Sequence, residues 1–467
     1  MLAASLILAC QALAASCFAA QTEDARKYEA QYDTTLVPLV PDETYRERLS
    51  RLAFGSCQDF DFGDNRIFPV INSTDPDLFL YTGDIIYPDI GCCTPDCIIA
   101  KYEKLNANAE FQEFRSKLRR MDGIYDDHDF GIDDGHSNFP YRAESQRLLM
   151  DFLQKPEDHY RRKREGAYFS MEYEDPENEH HRVKIIVLDV RYHRDCYYYC
   201  PCLRCQWTTW DFLESVTKRS MSYYFGLGCD QPGDMLGEEQ WRWLQGQLFH
   251  SKAETHVIVS PLQVFTTSSL LESWGLLPHA KERLANLLIA TKPKNPIFIS
   301  GDVHWGEIME KDGIVEITAS SLTHSFLLEF PMLRFPLYFL VPFWGKKLYG
   351  YNNFGIIDFG MNGETGEMRH HIKLLDDAGK IVFEVIDDGT TDPMLPYLDV
   401  KNKPSTFLHN TRIIPCRSFF SKFTLGILFV LVGIPALILF IIAWMIWRII
   451  YTISGKYPSR TPKPKKD

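Results

Sequence analysis

Four short stretches carry side chains that could do chemistry together. They are FGSCQD with Cys57, YTGDIIY with Asp84 and Tyr87, YDDHDFGIDDG with Asp126, Asp127 and His128, and SGDVHWGE with Asp302 and His304. A thiolate, carboxylates, a phenolate and imidazoles can hold two metal ions a few ångströms apart, with one carboxylate shared between them to set the spacing. Such a site neutralises a phosphate, activates water and stabilises an in-line displacement. Cys and Tyr favour a trivalent or borderline metal, whereas the carboxylate-rich half suits a hard divalent ion. Each stretch alone is a weak signal: an Asp after Gly is commonly a turn, and Asp-x-His often caps a helix. Asp126, Asp127 and Asp129 do not match the spacing of a helix-loop-helix calcium site. The four stretches carry their meaning as a set.

Elements that end at these residues must position them. Residues 52–54, 78–80, 183–190, 256–259, 297–300 and 314–318 read as buried strands that end in polar residues. Residues 98–118, 142–153 and 238–249 have helical spacing. Alternation of this kind predicts an α/β chain whose ligands bind beyond the strand ends. No internal repeat is visible.

At 467 residues with a net charge of −12, the chain can bury a large core but has no excess of cations for a nucleic-acid backbone. Residues 1–20 are uncharged and end in small residues, which predicts a secretory signal. Residues 423–447 form an uncharged run of 25, longer than the ~30 Å hydrocarbon core requires, and predict a transmembrane helix. The basic segment 448–467 then lies in the cytosol by the positive-inside rule. The expected order is signal 1–20, lead-in 21–47, lumenal or extracellular domain 48–390, stalk 391–422, span and tail, a single-pass type I protein. Lys463 and Lys465 resemble a dilysine signal read by coat proteins, which favours the endoplasmic reticulum, with the cell surface and lysosome as alternatives. The same lysines would also serve as a plain basic flank against anionic lipid. Residues 326–344 are apolar but interrupted by Glu329, Arg334 and prolines, so they read as core or as a loop dipping into a membrane leaflet.

Cysteine usage agrees with an oxidising compartment. Of twelve cysteines, Cys10 and Cys17 lie in the signal and Cys416 before the span, leaving nine. Eight of them fall in two clusters, Cys92, Cys93 and Cys97, then Cys196, Cys200, Cys202, Cys205 and Cys229. Four disulfides are expected there, although the second cluster could imitate a zinc site. Cys57 is the one left over. Asn72 heads the sole glycosylation sequon, Asn72-Ser73-Thr74.

The order FGSC, TGDxxY, DDHD, GDVHWGE resembles the PhoD-type (alkaline phosphatase D) metallophosphatases, as do VLDVRYHR at 187–194, GEEQWRWL at 237–244 and ITASSLTHS at 317–325. The likeness spans roughly residues 48–330; with the expected span it points to a membrane-anchored, eukaryotic-type member, unlike the soluble secreted bacterial forms. It implies a four-layer α/β sandwich of two mixed β-sheets flanked by helices, related to purple acid phosphatases. It also implies iron (Fe3+) with calcium or another divalent ion. By the resemblance, Cys57, Tyr87 and His304 hold the iron, Asp84 bridges, and Asp127 and Asp302 hold the divalent ion. His128 would act as general acid or phosphate contact. Arg191 either grips a phosphate oxygen or pairs with Asp189, while Asp126 and His324 stand behind the ligands. The chain departs from the family at Tyr125, where Trp is common, and at Asp133, where Asn is common. It also lacks room for the separate leading β-domain of the bacterial enzymes.

The expected activity is hydrolysis of phosphate mono- or diesters by direct attack of activated water, without a covalent enzyme intermediate. A phospholipase-like diesterase using residues 326–344 is one alternative. A catalytically silent, metal-stabilised ectodomain is another.

Overall fold

The computed structural model describes residues 39–387, apart from positions 61–64, 90–91, 199–214, 216, 220–221, 223–224, 267–270, 312–313, 326–347 and 364–365, together with residue 442. The expected signal, most of the lead-in, Cys200, Cys202, Cys205, residues 326–344 and the stalk lie outside the described residues. So do the 423–447 span, residue 442 apart, and the tail with Lys463 and Lys465. Among the described residues no helix is long and apolar enough to cross a membrane.

Two mixed sheets dominate. In chain order the strands are β1 (Glu43–Tyr45), β2 (Arg51–Gly55), β3 (Leu78–Thr82), β4 (Met121–Ile124), β5 (Phe169–Glu174), β6 (Arg182–Val187) and β7 (Thr255–Val259). They continue with β8 (Pro296–Ser300), β9 (Gly306–Lys311), β10 (Ile314–Ala319), β11 (Leu348–Tyr349), β12 (Asn353–Met361), β13 (Met368–Asp376) and β14 (Ile381–Asp387). One sheet has the order β1-β5-β6-β7-β8-β10-β9-β11, the other β14-β13-β12-β2-β3-β4. Within them β6, β7, β8 and β10 run parallel, as do β2, β3 and β4.

The parallel strands are covered on both faces, which is why they read as unbroken apolar runs. Ile185, Val187, Val257, Val259, Ile297 and Ile299 point into the core shared with β2 and β12. Alternate residues Ile186, Ile258 and Phe298 point the other way, onto Trp241, Leu244 and Leu284. Those last three belong to the helices Glu238–Leu248 and Pro278–Thr291. On the far side, Ile71, Ile98, Phe114 and Leu149 come from helices Ile67–Ser73, Pro95–Ala107, Ala109–Lys117 and Arg142–Phe152. The result is a mixed α/β fold with two mixed sheets flanked by helices.

Several local expectations change. The helix expected over 98–118 is two helices broken at Asn108, whose extended backbone ends the first. Its side chain accepts from the N–H groups of Glu110 and Phe111 to cap the second. The strand expected over 183–190 stops at Val187, because Asp189 Oδ1 accepts from the N–H groups of Arg191 and Tyr192 and turns the chain. Residues 43–45, expected in the lead-in, pair with β5. Asp42 anchors them by accepting from the Ser170 N–H, and Tyr45 stacks on Tyr173. Three residues are too few to show a strand pattern.

The cysteine expectation is corrected in one respect. Cys92 and Cys97 are joined, and Cys196 and Cys229 are each half of a disulfide. Cys93, however, is a buried thiol within the aromatic and aliphatic core, so the expected set of four disulfides does not form with it. It is the neighbouring Cys92 that lies within bonding reach of Cys97, across the first turn of its helix. Cys57 is likewise a buried thiol. Asn72 lies half-buried in the helix Ile67–Ser73.

Candidate metal centre

The site forms where the C-terminal ends of parallel strands from both sheets meet. Cys57 follows β2, Asp84 and Tyr87 follow β3, and Asp126, Asp127 and His128 follow β4. From the other sheet, Arg191 follows β6, and Asp302 and His304 follow β8. Two glycines permit this convergence. Gly83 has φ +108°, and a Cβ there would lie 2.4 Å from Asp126 Cβ. A Cβ on Gly301 would lie 2.5 Å from Ser56 Oγ and 2.9 Å from the Thr82 carbonyl. The Gly-Asp pairs therefore answer to packing as well as to turns.

Backbone strain collects at the same residues. Cys57 (φ 57°), Asp84 (50°), Asp302 (70°) and His304 (59°) all adopt left-handed conformations, as does Asp134 (55°). Each costs about 1–3 kcal/mol and persists only where the surroundings impose it, which is typical of functional sites. Those surroundings are visible. The Gln58 N–H donates to the Asp84 carbonyl, the His304 N–H to Ser320 Oγ, and the His324 N–H to the Cys57 carbonyl.

Among the described residues four ligand groups result, each with donor atoms within 4.8 Å of one another: Cys57, Asp84 and His304; Asp84, Asp127 and His128; Asp126, Asp127 and Asp302; Asp127, Asp133 and Asp134. Asp84 belongs to the first two and so stands between a thiol–imidazole half and a carboxylate half. The Cys57 thiol donates to Asp84 Oδ2 at 3.3 Å and lies 3.1 Å from Ser320 Oγ. Tyr87 OH is 3.4 Å from His304 Nε2, and the His324 ring lies 4.5 Å from that of His304. His128 Nδ1 is 2.8 Å from Asp89 Oδ2, and its ring lies 4.3 Å from that of Tyr87.

Charge is crowded. Asp84, Asp126, Asp127, Asp129, Asp134, Glu272 and the Asp89 partner of His128 are all buried, and among the described residues Arg191, Arg194 and Arg219 pair with this group as fixed cations. Burial, then Cys57 and Asp127, push Asp84 well above the usual carboxylate range. Burial and the surrounding carboxylates do the same to Asp302 and Asp133, and bring Asp126 and Asp134 up to about 7. Burial also raises the Cys57 thiol. Asp127 goes the other way: burial opposes its ionisation, but Arg191 and His128 outweigh it. His128 is raised well above neutral histidine, since Asp89, Asp127 and Asp84 overcome the cost of burial.

The residues fit a pair of metal ions. Asp84 Oδ1 and Asp126 Oδ2 are buried without a hydrogen-bond partner, and the thiol, imidazole and carboxylate donors converge where anionic forms lack counter-charge. Cys57, Tyr87, His304 and Asp84 would hold one ion, and Asp84, Asp127 and Asp302 the other.

The guanidinium of Arg191 does not form the expected ion pair with Asp189. It is fully buried and pairs with Asp126 and, at 2.7 Å, with Glu272. Nη2 has no hydrogen-bond partner and lies 3.8 Å from both Asp127 and Asp302. Asp189 instead accepts from the hydroxyl of Tyr125 and the N–H of Ala167. Sequence reasoning missed Glu272, Asp89 and the serine at 320. Asp89 had a signal, lying in the loop that carries Asp84 and Tyr87, and Ser320 lies in the ITASSLTHS stretch. Glu272 had none, being a lone acid in an apolar segment.

Comparison with known proteins places this geometry in context. Residues 181–330 match the family model of PhoD-like phosphatases. The matched stretch includes Arg191, Asp302, His304 and His324 but not Cys57, Asp84 or Asp127. No curated protein sequence matches the chain. Among solved structures, one of PhoD is 15% identical, with 76% of this chain and 75% of that chain covered and a TM-score of 0.47. GAP50, the anchor in the inner membrane complex of Plasmodium, is 11% identical over 79% of this chain and 96% of its own, with a TM-score of 0.38. A putative 5'-nucleotidase from Staphylococcus aureus, solved in complex with alpha-ketoglutarate, is 15% identical over 73% of this chain and 56% of its own, with a TM-score of 0.36.

Proposed function

We propose that this chain is a metal-dependent phosphoric ester hydrolase of the PhoD-like type. The observation that carries the reading is Asp84: one buried carboxylate common to a thiol–imidazole group and a carboxylate–imidazole group. A shared carboxylate is what a two-metal site needs. Metal ions held there supply Lewis-acid activation of water and neutralise charge on a phosphate. Iron on the Cys57, Tyr87 and His304 side, and calcium or another hard divalent ion on the Asp127 and Asp302 side, match the donor chemistry.

The chain's own residues complete the reaction. His128, held protonated by Asp89, is placed to give a proton to the leaving oxygen. Arg191 is oriented by Asp126 and Glu272, which leaves Nη2 directed between the Asp127 and Asp302 carboxylates. Ser320 fixes both the His304 backbone and the Cys57 sulfur. The cystines formed by Cys92, Cys97, Cys196 and Cys229 support an oxidising compartment, in keeping with a lumenal or extracellular domain on a type I membrane protein.

The test is hydrolysis of chromogenic phosphate mono- and diesters by the purified full-length protein and its Asp84→Asn variant. Turnover of either ester class, falling at least ~100-fold in the variant, is expected. Equal turnover by both proteins would refute the reading.

A further inference from the structure

Between Cys196 and Cys229, the described residues Tyr197 and Arg219 are not used by the reaction above, yet they reach the site. Arg219 donates to Asp134 Oδ1 with its side chain 13% exposed. Asp134 belongs to the group Asp127, Asp133 and Asp134, the one ligand group that shares Asp127 without including Asp84 or Asp302. The seat is built from several directions. The Asp134 N–H donates to Asp127 Oδ2 at 2.8 Å, so the two acids move together. Arg194 donates to the Asp134 and Gly135 carbonyls, and its guanidinium lies 4.2 Å over the Tyr197 ring, from the same cysteine-bounded segment. Glu272 then joins Arg194 to Arg191.

We propose that Arg219 is a built-in cation that fills the Asp127–Asp133–Asp134 group in place of a metal ion. The inference rests on the two-metal reading and adds a specificity device to it. Three converging carboxylates, two of them buried, attract a hard cation. A divalent ion seated there would draw on Asp127 and compete with the groups that contain Asp84 and Asp302. A tethered guanidinium satisfies Asp134, is always charged, and cannot be exchanged for a solution ion.

The experiment is metal analysis by mass spectrometry of full-length protein equilibrated with excess calcium and freed of unbound ion. Arg219→Gln is expected to hold about one calcium more per chain than wild type. Arg219→Lys, which keeps the charge, is expected to hold the wild-type number. Adding Asp134→Asn to Arg219→Gln removes the extra ion. A calcium count in Arg219→Gln equal to or below that of wild type overturns the proposal. Should Arg219→Gln fail to fold, Asp134→Asn alone decides. Its metal count stays at the wild-type value if Asp134 serves an arginine, and loss of an ion contradicts that. Wild-type protein without any metal would instead sink the two-metal reading, so the two failures are distinct.

Discussion

His128 shows how much of the chemistry depends on a single partner. A buried imidazole alone would sit neutral, and it is the Asp89 carboxylate at 2.8 Å that leads the charges keeping it protonated. Asp89→Asn should lower kcat for phosphate esters about 10–100-fold while leaving bound metal unchanged. Unchanged kcat would remove His128 from proton transfer. At this scale the sequence was informative wherever a side chain follows a strand directly. Asp84, Tyr87, Asp127, His128, Asp302 and His304 stood in short Gly-Asp or Asp-His signatures and Cys57 in FGSC, and the fold brings them together. Glu272 and Arg219 were not legible in the same way, because each acts through partners distant in sequence and neither stands in a local motif, whereas Asp89 was signalled only by lying in the loop of Asp84 and Tyr87.

Among the elements, the strands buried on both faces were the most legible, since two-sided burial writes continuous apolar runs. The half-buried hairpins β12 to β14 were not named individually, because alternation such as MRHHIKLLD in β13 mixes polar and apolar residues. The break at Asn108 was missed for the opposite reason: the apolar spacing continues across it while the backbone does not. Two predictions belong here. Gly83→Ala places a Cβ 2.4 Å from Asp126 Cβ at a φ of +108°, where a side chain is strained. It should cost about 2 kcal/mol or more in chemical denaturation and weaken metal retention, because the β3 and β4 loops must part. His256, at the entry to β7, is buried with Nδ1 2.8 Å from the Lys294 carbonyl, and burial pushes its pKa down to about 4. The native ring stays neutral while the unfolded one takes up a proton below about 6.5. Its contribution is therefore complete above that pH and is lost as pH falls toward 4, by up to about 3 kcal/mol. His256→Asn should flatten the fall in urea-unfolding stability between neutral pH and about 4.5. An unaltered slope would show that another group controls it.

For the molecule as a whole, the two sheets meet at a site where, among the described residues, buried acids outnumber the arginines paired with them, so added cations should stabilise the fold at neutral pH. In the metal-stripped chain, burial and neighbouring carboxylates hold Asp126 with a pKa of about 7, so the native state keeps a proton that the unfolded chain has released. Stability of the stripped protein should therefore be greatest in acid and decline as pH rises through neutrality. Added metal should reverse that decline, stabilising by about 3 kcal/mol at a hundredfold excess over Kd. A melting temperature that ignores chelator at pH 8 would contradict this. The layered architecture itself was legible from the strand–helix alternation, whereas the exact convergence of two sheets on one acidic site required the fold.

The most direct test of the central claim is the metal content of the full-length protein beside that of Asp84→Asn. Because Asp84 serves both ligand groups, the account predicts that wild type carries at least two metal ions per chain and that this one substitution depletes both kinds. Wild type purified under metal-sufficient conditions without bound metal, or a variant that keeps its full complement, would contradict it.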